Sequence, residues 1–248
     1  MKRYGLIGYP LTHSFSKKYF TEKFEKQGIA DCKYDLFEIK DINELPNIIK
    51  NNPDLKGLNV TIPYKETVIK FLDKVDDAVK KIKAVNVIKV TDGKLKGYNT
   101  DYLGFKQSLT KFLPQDFKSK ALVLGSGGAS KAVKTVLDDL GIPYITVSRK
   151  PDQGKGTSML YEEVNQAVVD SHHLIINTTP VGQYPHIKES PMLPYTLFTP
   201  NHYFFDLVYN PQETLFLLKG KAKGAKTKGG LEMLHLQAEF AWEIWNNG

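Results

Sequence analysis

The stretch Ala121-Leu122-Val123-Leu124-Gly125-Ser126-Gly127-Gly128-Ala129-Ser130-Lys131-Ala132 decides the fold. Its four leading apolar residues read as a buried strand, Ala121–Leu124, and the glycine cluster behind them opens a helix over Ala129–Leu140. A second strand follows at Tyr144–Val147. Strand, glycine turn, helix and strand form one unit of a parallel sheet. The glycines let a backbone approach a pyrophosphate, and the free amides of the helix N-terminus supply donors. The pattern predicts a dinucleotide site at Gly125, Ser126, Gly127, Gly128 and Ala129, the plain alternative being a tight turn in an unrelated α/β protein. The end of the second strand selects the dinucleotide, because an acid there suits the free ribose hydroxyl of NAD and a base suits the extra phosphate of NADP. Ser148-Arg149-Lys150 carries no acid and two bases, which predicts NADP, with ordinary solvated side chains as the alternative.

Working outward, strands are expected at Leu174–Asn177 and Tyr203–Leu207, and a last long helix at Leu231–Trp245. Toward the start the pattern gives strand Arg3–Gly8, helix Lys17–Gln27, strand Tyr34–Glu38, helix Ile42–Lys50 and strand Gly57–Thr61. Strand Val85–Val90 then turns at Asp92-Gly93 and returns through Leu95–Tyr98. A helix over Thr100–Phe112 presents Leu103, Phe105, Leu109 and Phe112 at mixed spacings of three and four, closes at Pro114, and suits a connection between domains. Repeated strand and helix alternation makes this an α/β chain.

Composition narrows the function. The 248 residues suffice for one large or two modest domains, and 41% hydrophobic with 25% charged residues is globular rather than disordered or fibrous. No apolar run nominates a membrane span and the start lacks a secretory pattern, so the expected location is cytoplasmic. One cysteine, Cys32, and six scattered histidines offer neither a disulfide nor zinc spacing, so no metal is expected. The net charge of +7 suits an anionic metabolite or cofactor. Nucleic acid is disfavoured, since no aromatics interleave with the bases. The run Lys219, Lys221, Lys223, Lys226 and Lys228 reads as a solvated, mobile face.

Three polar clusters interrupt the apolar pattern of the first half. Ser14 and Ser16 carry hydroxyls suited to a small carboxylate, or else cap a helix. In Asn59-Val60-Thr61, alternation turns Asn59 and Thr61 to one face and Val60 to the core. Lys65 follows Pro63 at a turn, where an ammonium can stabilise charge on a carbonyl oxygen or exchange a proton with an alcohol, the alternative being plain surface charge. Asp101 can pair with Lys65 or cap the helix behind it. Asn86 enters a β-branched run and either binds substrate or ends a strand.

Taken in order, Gly8–Ser16, Asn59–Lys65, Ala84–Val87, Asn99–Asp101, Gly125–Ala129, Asn177–Gly182 and Asp206–Pro211 make the chain resemble the shikimate dehydrogenases across essentially its whole length. The resemblance implies two domains: a shikimate-binding catalytic domain at 1–100, a Rossmann-like NADP-binding domain at 101–230, and a terminal helix, 231–248, returning to the first. It implies reversible reduction of 3-dehydroshikimate to shikimate with NADPH, in chorismate and aromatic amino acid biosynthesis. Lys65 and Asp101 are then the catalytic pair; Ser14 and Ser16 hold the carboxylate; Asn59, Thr61, Asn86 and Gln237 meet ring hydroxyls; and Tyr209 reaches the cleft. Thr178, Val208, Gly230 and Met233 flank the cofactor, with the Ser148 hydroxyl at the phosphate beside Arg149 and Lys150. Lys17, Lys228-Gly229 and Glu232 depart from the family pattern and bear on loop geometry. A quinate/shikimate dehydrogenase using NAD, or a non-catalytic NADP-binding regulator, are the rival readings, with a monomer or homodimer equally open.

Overall fold

The computed structural model describes residues 1–11, 14–150 and 158–247, in two compact units, Met1–Leu103 with Gln237–Gly248 and Gly104–Leu236. His13 of the first polar cluster lies outside the described residues.

The first unit contains β1 (Lys2–Gly8), α1 (Phe15–Lys26), β2 (Cys32–Glu38), α2 (Leu45–Asn51), β3 (Leu55–Val60), β4 (Lys74–Val75), α3 (Asp77–Ile82), β5 (Val87–Thr91) and β6 (Lys94–Tyr98). Its sheet runs β2-β1-β3-β5-β6-β4. β1 pairs in parallel with β2 and β3, whereas β5 is antiparallel to both β3 and β6. The hairpin between β5 and β6 turns on Asp92 and Gly93, both at positive φ, as the Asp-Gly pair anticipates. β5 starts two residues later than its apolar run, because Val85 and Asn86 spend their amides on Lys65 and Tyr98 across the entry to the strand.

One face of this sheet is closed by aromatic packing. Tyr4, Phe20, Phe24, Tyr34 and Trp245 are buried there with Ala238 and Ala241. Trp245 stacks on Tyr4 at 4.9 Å and donates its indole N–H to Ile88 O at 3.0 Å. The indole rests directly over Gly57, where a Cβ would lie 2.1 Å from its nitrogen, so that glycine is what admits the ring.

α4 (Thr100–Phe112) carries the chain into the second unit. That unit holds β7 (Ala121–Leu124), α5 (Gly128–Asp139), β8 (Tyr144–Ser148), β9 (Ser158–Leu160), α6 (Gln166–Ser171), β10 (Leu174–Asn177), β11 (Tyr203–Asp206), α7 (Leu215–Lys221) and β12 (Lys226–Lys228), and α8 (Leu231–Asn246) leads back to the first. Its six strands are all parallel in the order β12-β11-β10-β7-β8-β9. This is the doubly wound arrangement, with its switch point between β7 and β10. All four residues of β7 and of β10 are buried, as strands covered on both faces must be.

The lysine run lies on α7 and β12, where Phe216, Leu217 and Gly220 pack inward and Lys221 and Lys226 are exposed. Lys219 donates to Ser190 at 2.8 Å over the Tyr195 ring, Lys221 pairs with Glu213 at 2.8 Å, and Lys226 meets the Tyr203 hydroxyl at 2.9 Å. Lys228 pairs with Glu232, which also meets Lys111 at 3.5 Å and Ser108 at 3.3 Å. Burial pushes the Glu232 carboxyl up, and these two ammonium groups outweigh it and hold the group below its ordinary value. Among the described residues no helix is long and apolar enough to cross a membrane.

Candidate active site

Lys65 sits just past β3 on a turn closed by Tyr64 N–H to Thr61 O, and its own carbonyl accepts the amide of Val85 at 2.7 Å. That double tether aims the side chain at the first turn of α4, where Lys65 Nζ meets Asp101 Oδ2 at 2.7 Å. Asp101 is available because it does not cap the helix. Asn99 does so, accepting the Tyr102 amide at 3.0 Å while donating to Ala84 O at 2.9 Å. Both members of the pair are partly exposed, so a ligand can reach them.

Asn86 is buried beside this pair. The Thr100 amide donates to its Oδ1 at 2.7 Å, which fixes the amide's orientation and directs Nδ2 toward Thr100 Oγ1 at 3.0 Å and Gln237 Oε1 at 3.5 Å. Asn86 therefore does not merely end a strand; it joins β5, α4 and α8 at one point. Ser14 caps α1, its oxygen accepting the Lys17 amide at 3.2 Å, and this leaves its proton free to donate. The capping and carboxylate-binding readings of Ser14 are thus compatible. Lys17, which departs from the family pattern, supplies that amide. Ser16 lies in the first turn of α1. Thr61 follows Asn59 at the end of β3 and packs over Gly8 of β1. Ser14, Ser16, Asn59, Thr61, Lys65, Asn86, Asp101 and Gln237 all belong to the first unit, whereas Tyr209 is an exposed residue of the second.

In the second unit the glycine loop lies at the switch point. Gly125 takes φ +100°, and a Cβ on it would press within 2.7 Å of Thr179. Ser126, Gly127, Gly128 and Ala129 are exposed, and a Cβ at either Gly127 or Gly128 would meet nothing within 4 Å. Gly127 opens α5 with no side-chain cap; the Ser130 amide bonds back to Gly127 O at 3.0 Å, and the Gly128 and Ala129 amides ahead of it have no internal acceptor among the described residues. These features fit a dinucleotide pyrophosphate. Thr178 does not offer its hydroxyl, which donates to Leu124 O at 2.7 Å and ties β10 to β7. The Ser148 residue is buried, and its hydroxyl donates to Lys150 O. Arg149 and Lys150 stand exposed at the end of β8. Gly230 and Met233 follow β12, and Gly230 is pressed against Leu207 O, where no side chain fits.

A group the sequence pattern did not single out organises this end of the sheet. Asp206 accepts from Asn177 at 2.9 Å, the Val208 amide at 3.0 Å and Thr214 at 2.5 Å. Asn177 in turn accepts from the Thr179 amide and hydroxyl at 3.0 and 2.6 Å. Burial pushes the Asp206 carboxyl up to about 6, against the opposing pull of these donors. Nothing in the local pattern reveals this, because an aspartate ending a strand ordinarily faces water.

Residues 6–88 match the family model of the shikimate dehydrogenase substrate binding domain. Over 99% of its length the chain is 41% identical to the shikimate dehydrogenase (NADP(+)) of Clostridium beijerinckii, covering 92% of that protein. The chain belongs to the shikimate dehydrogenase family. Among solved members of that family, shikimate 5-dehydrogenase from Thermus thermophilus in complex with NADP(H) and shikimate superposes with a TM-score of 0.86 at 32% identity, covering all of this chain and 94% of that one. The Listeria monocytogenes shikimate 5-dehydrogenase, in complex with shikimate and NAD, gives 0.86 at 28% identity, with 100% and 92% covered. Shikimate dehydrogenases thus share both sheets described above, and the Lys228-Gly229 and Glu232 departures fall in an ion-pair cluster at the start of α8 rather than in either sheet.

Proposed function

We infer that the chain reversibly reduces 3-dehydroshikimate to shikimate with NADPH, a step of aromatic amino acid biosynthesis in the cytoplasm. The observation that carries this is the Lys65–Asp101 pair, at 2.7 Å, in a chain alike over nearly its full length to NADP-dependent shikimate dehydrogenases. Residues 1–100, with the end of the terminal helix, act as the substrate domain, and 101–230 as the cofactor domain.

The nicotinamide supplies the hydride. Its arrival at the carbonyl carbon puts an electron pair on the ketone oxygen, and the Lys65 ammonium, held in place by Asp101, lies where it can stabilise that charge and deliver the proton. Ser14 and Ser16 donate to the carboxylate, while Asn59, Thr61, Asn86 and Gln237 sort the ring hydroxyls. The α5 amides take the pyrophosphate. Arg149 takes the ribose phosphate by its directional fork, with Lys150 adding charge.

Initial rates of nicotinamide reduction with shikimate or quinate, each paired with NADP or NAD, test this directly. Shikimate with NADP is expected to be the fastest pair by at least about tenfold, the worth of one charge-assisted contact. Equal rates with NAD would favour the quinate/shikimate reading. Tight NADP binding without turnover would make the chain a regulator.

A further inference from the structure

Tyr34 lies on β2, at the edge of the first sheet, and Asn59 lies on β3, with β1 between them. The phenol spans that strand and donates to Asn59 Oδ1 at 2.6 Å. The ring is 5% exposed and stacks on Phe20 at 4.8 Å with 13° between planes. A buried phenol in these surroundings keeps its proton, because burial raises it far above its ordinary value.

The direction of this hydrogen bond has a consequence for recognition. A phenol has one proton, and Asn59 Oδ1, an acceptor only, takes it. The oxygen end of the Asn59 amide is thereby occupied, and Nδ2, which has no hydrogen-bond partner among the described residues, is the end left for a ligand. Without the phenolic hydroxyl the amide would sit in a broad, roughly two-fold torsion and present either end.

We propose that Tyr34 is a positioning residue that sets Asn59 as a donor toward the substrate ring. This rests on the assignment of Asn59 to the shikimate site. Tyr34 touches no substrate, and its contribution is the same in ground and transition states. It therefore acts on substrate affinity and leaves the chemical step alone.

The test is steady-state kinetics of Tyr34→Phe, Asn59→Ala and the double variant, with melting temperatures. Tyr34→Phe keeps the stacked ring and removes one oxygen. The KM for shikimate is expected to rise by about 5–30-fold, the scale of one lost orienting hydrogen bond. The kcat should stay within about threefold, and the KM for NADP should not move. In the Asn59→Ala background the same change should have less than about half its effect on a logarithmic scale, since the amide it orients is gone. A shikimate KM within about twofold of wild type, or effects that multiply in the double variant, would overturn the role. So would a fall in kcat alone, or a rise in both substrates' KM together with a lowered melting temperature. A wild-type protein that does not turn over shikimate at all overturns the functional assignment first, and this role with it.

Discussion

At the residue scale, the proposed reactivity rests on one ammonium. Lys65→Ala removes the group beside the developing alkoxide while its partner Asp101 remains partly hydrated, so kcat should fall by about 10²–10⁴-fold. Stability should change by less than about 1 kcal/mol, because a half-exposed ion pair contributes little. Paired turnover and melting measurements check this, and a large loss of stability with modest loss of kcat would make Lys65 a structural residue. In the sequence Lys65, past a proline-ended strand with polar side chains on one face, stood between a site and plain surface charge, and the structure pairs it with Asp101. Asp101 was only half legible. Whether it capped α4 or paired with Lys65 depended on whether Asn99 took the cap, and both residues are good caps. Tyr34 was not legible at all, and Asp206 was legible only as the first residue of a motif, without a role: a tyrosine in a strand and an aspartate at a strand end are common, and their partners lie 25 and 29 positions away. The partner of the Ser148 hydroxyl was not legible either. A hydroxyl rotates to whichever acceptor is nearest, and the sequence did not show that the backbone folds Lys150 O onto it.

At the element scale, the apolar periods located the strands and helices that carry the sites. α4, β7 and β10 fall on their expected bounds, because each is a buried run with an abrupt polar or glycine boundary. α3, α6, α7, β4, β9 and β12 were missed. They are between two and seven residues long, and in α7 and β12 the lysines hide a short inward face formed by Phe216 and Leu217. The return at Asp92-Gly93 falls as expected, with β6 antiparallel to β5, whereas the reading did not show that β5 itself runs against β3. The join between β3 and α8 gives a sharp prediction. Gly57→Ala would drive a methyl into the Trp245 indole, which is 5% exposed and fixed by its bond to Ile88 O. Overpacking of this kind costs about 1–3 kcal/mol. The variant should melt several degrees lower with blue-shifted tryptophan emission partly lost, and an unchanged melting curve would mean that α8 has freedom to move off the strand.

At the scale of the whole molecule, the chain carries two sheets, each with its own core, and both of its tryptophans, Trp242 and Trp245, belong to the first unit. Tryptophan fluorescence therefore reports that unit alone, whereas hydrogen exchange in β7, β8, β10 and β11 reports the other. The proposed ligands divide along the same line: the carboxylate- and hydroxyl-binding side chains lie in the first unit, apart from Tyr209, and the glycine loop with Arg149 lies in the second. A ligand that binds only folded protein stabilises what it binds by RT ln(1 + [L]/Kd), about 2.7 kcal/mol at one hundred times Kd. Shikimate should therefore move the fluorescence-detected denaturant midpoint upward by more than it slows exchange in β7 and β10. NADP should do the reverse. Equal shifts of both probes by either ligand would show that the two units unfold as one cooperative body, in which case the division seen in the fold has no thermodynamic counterpart.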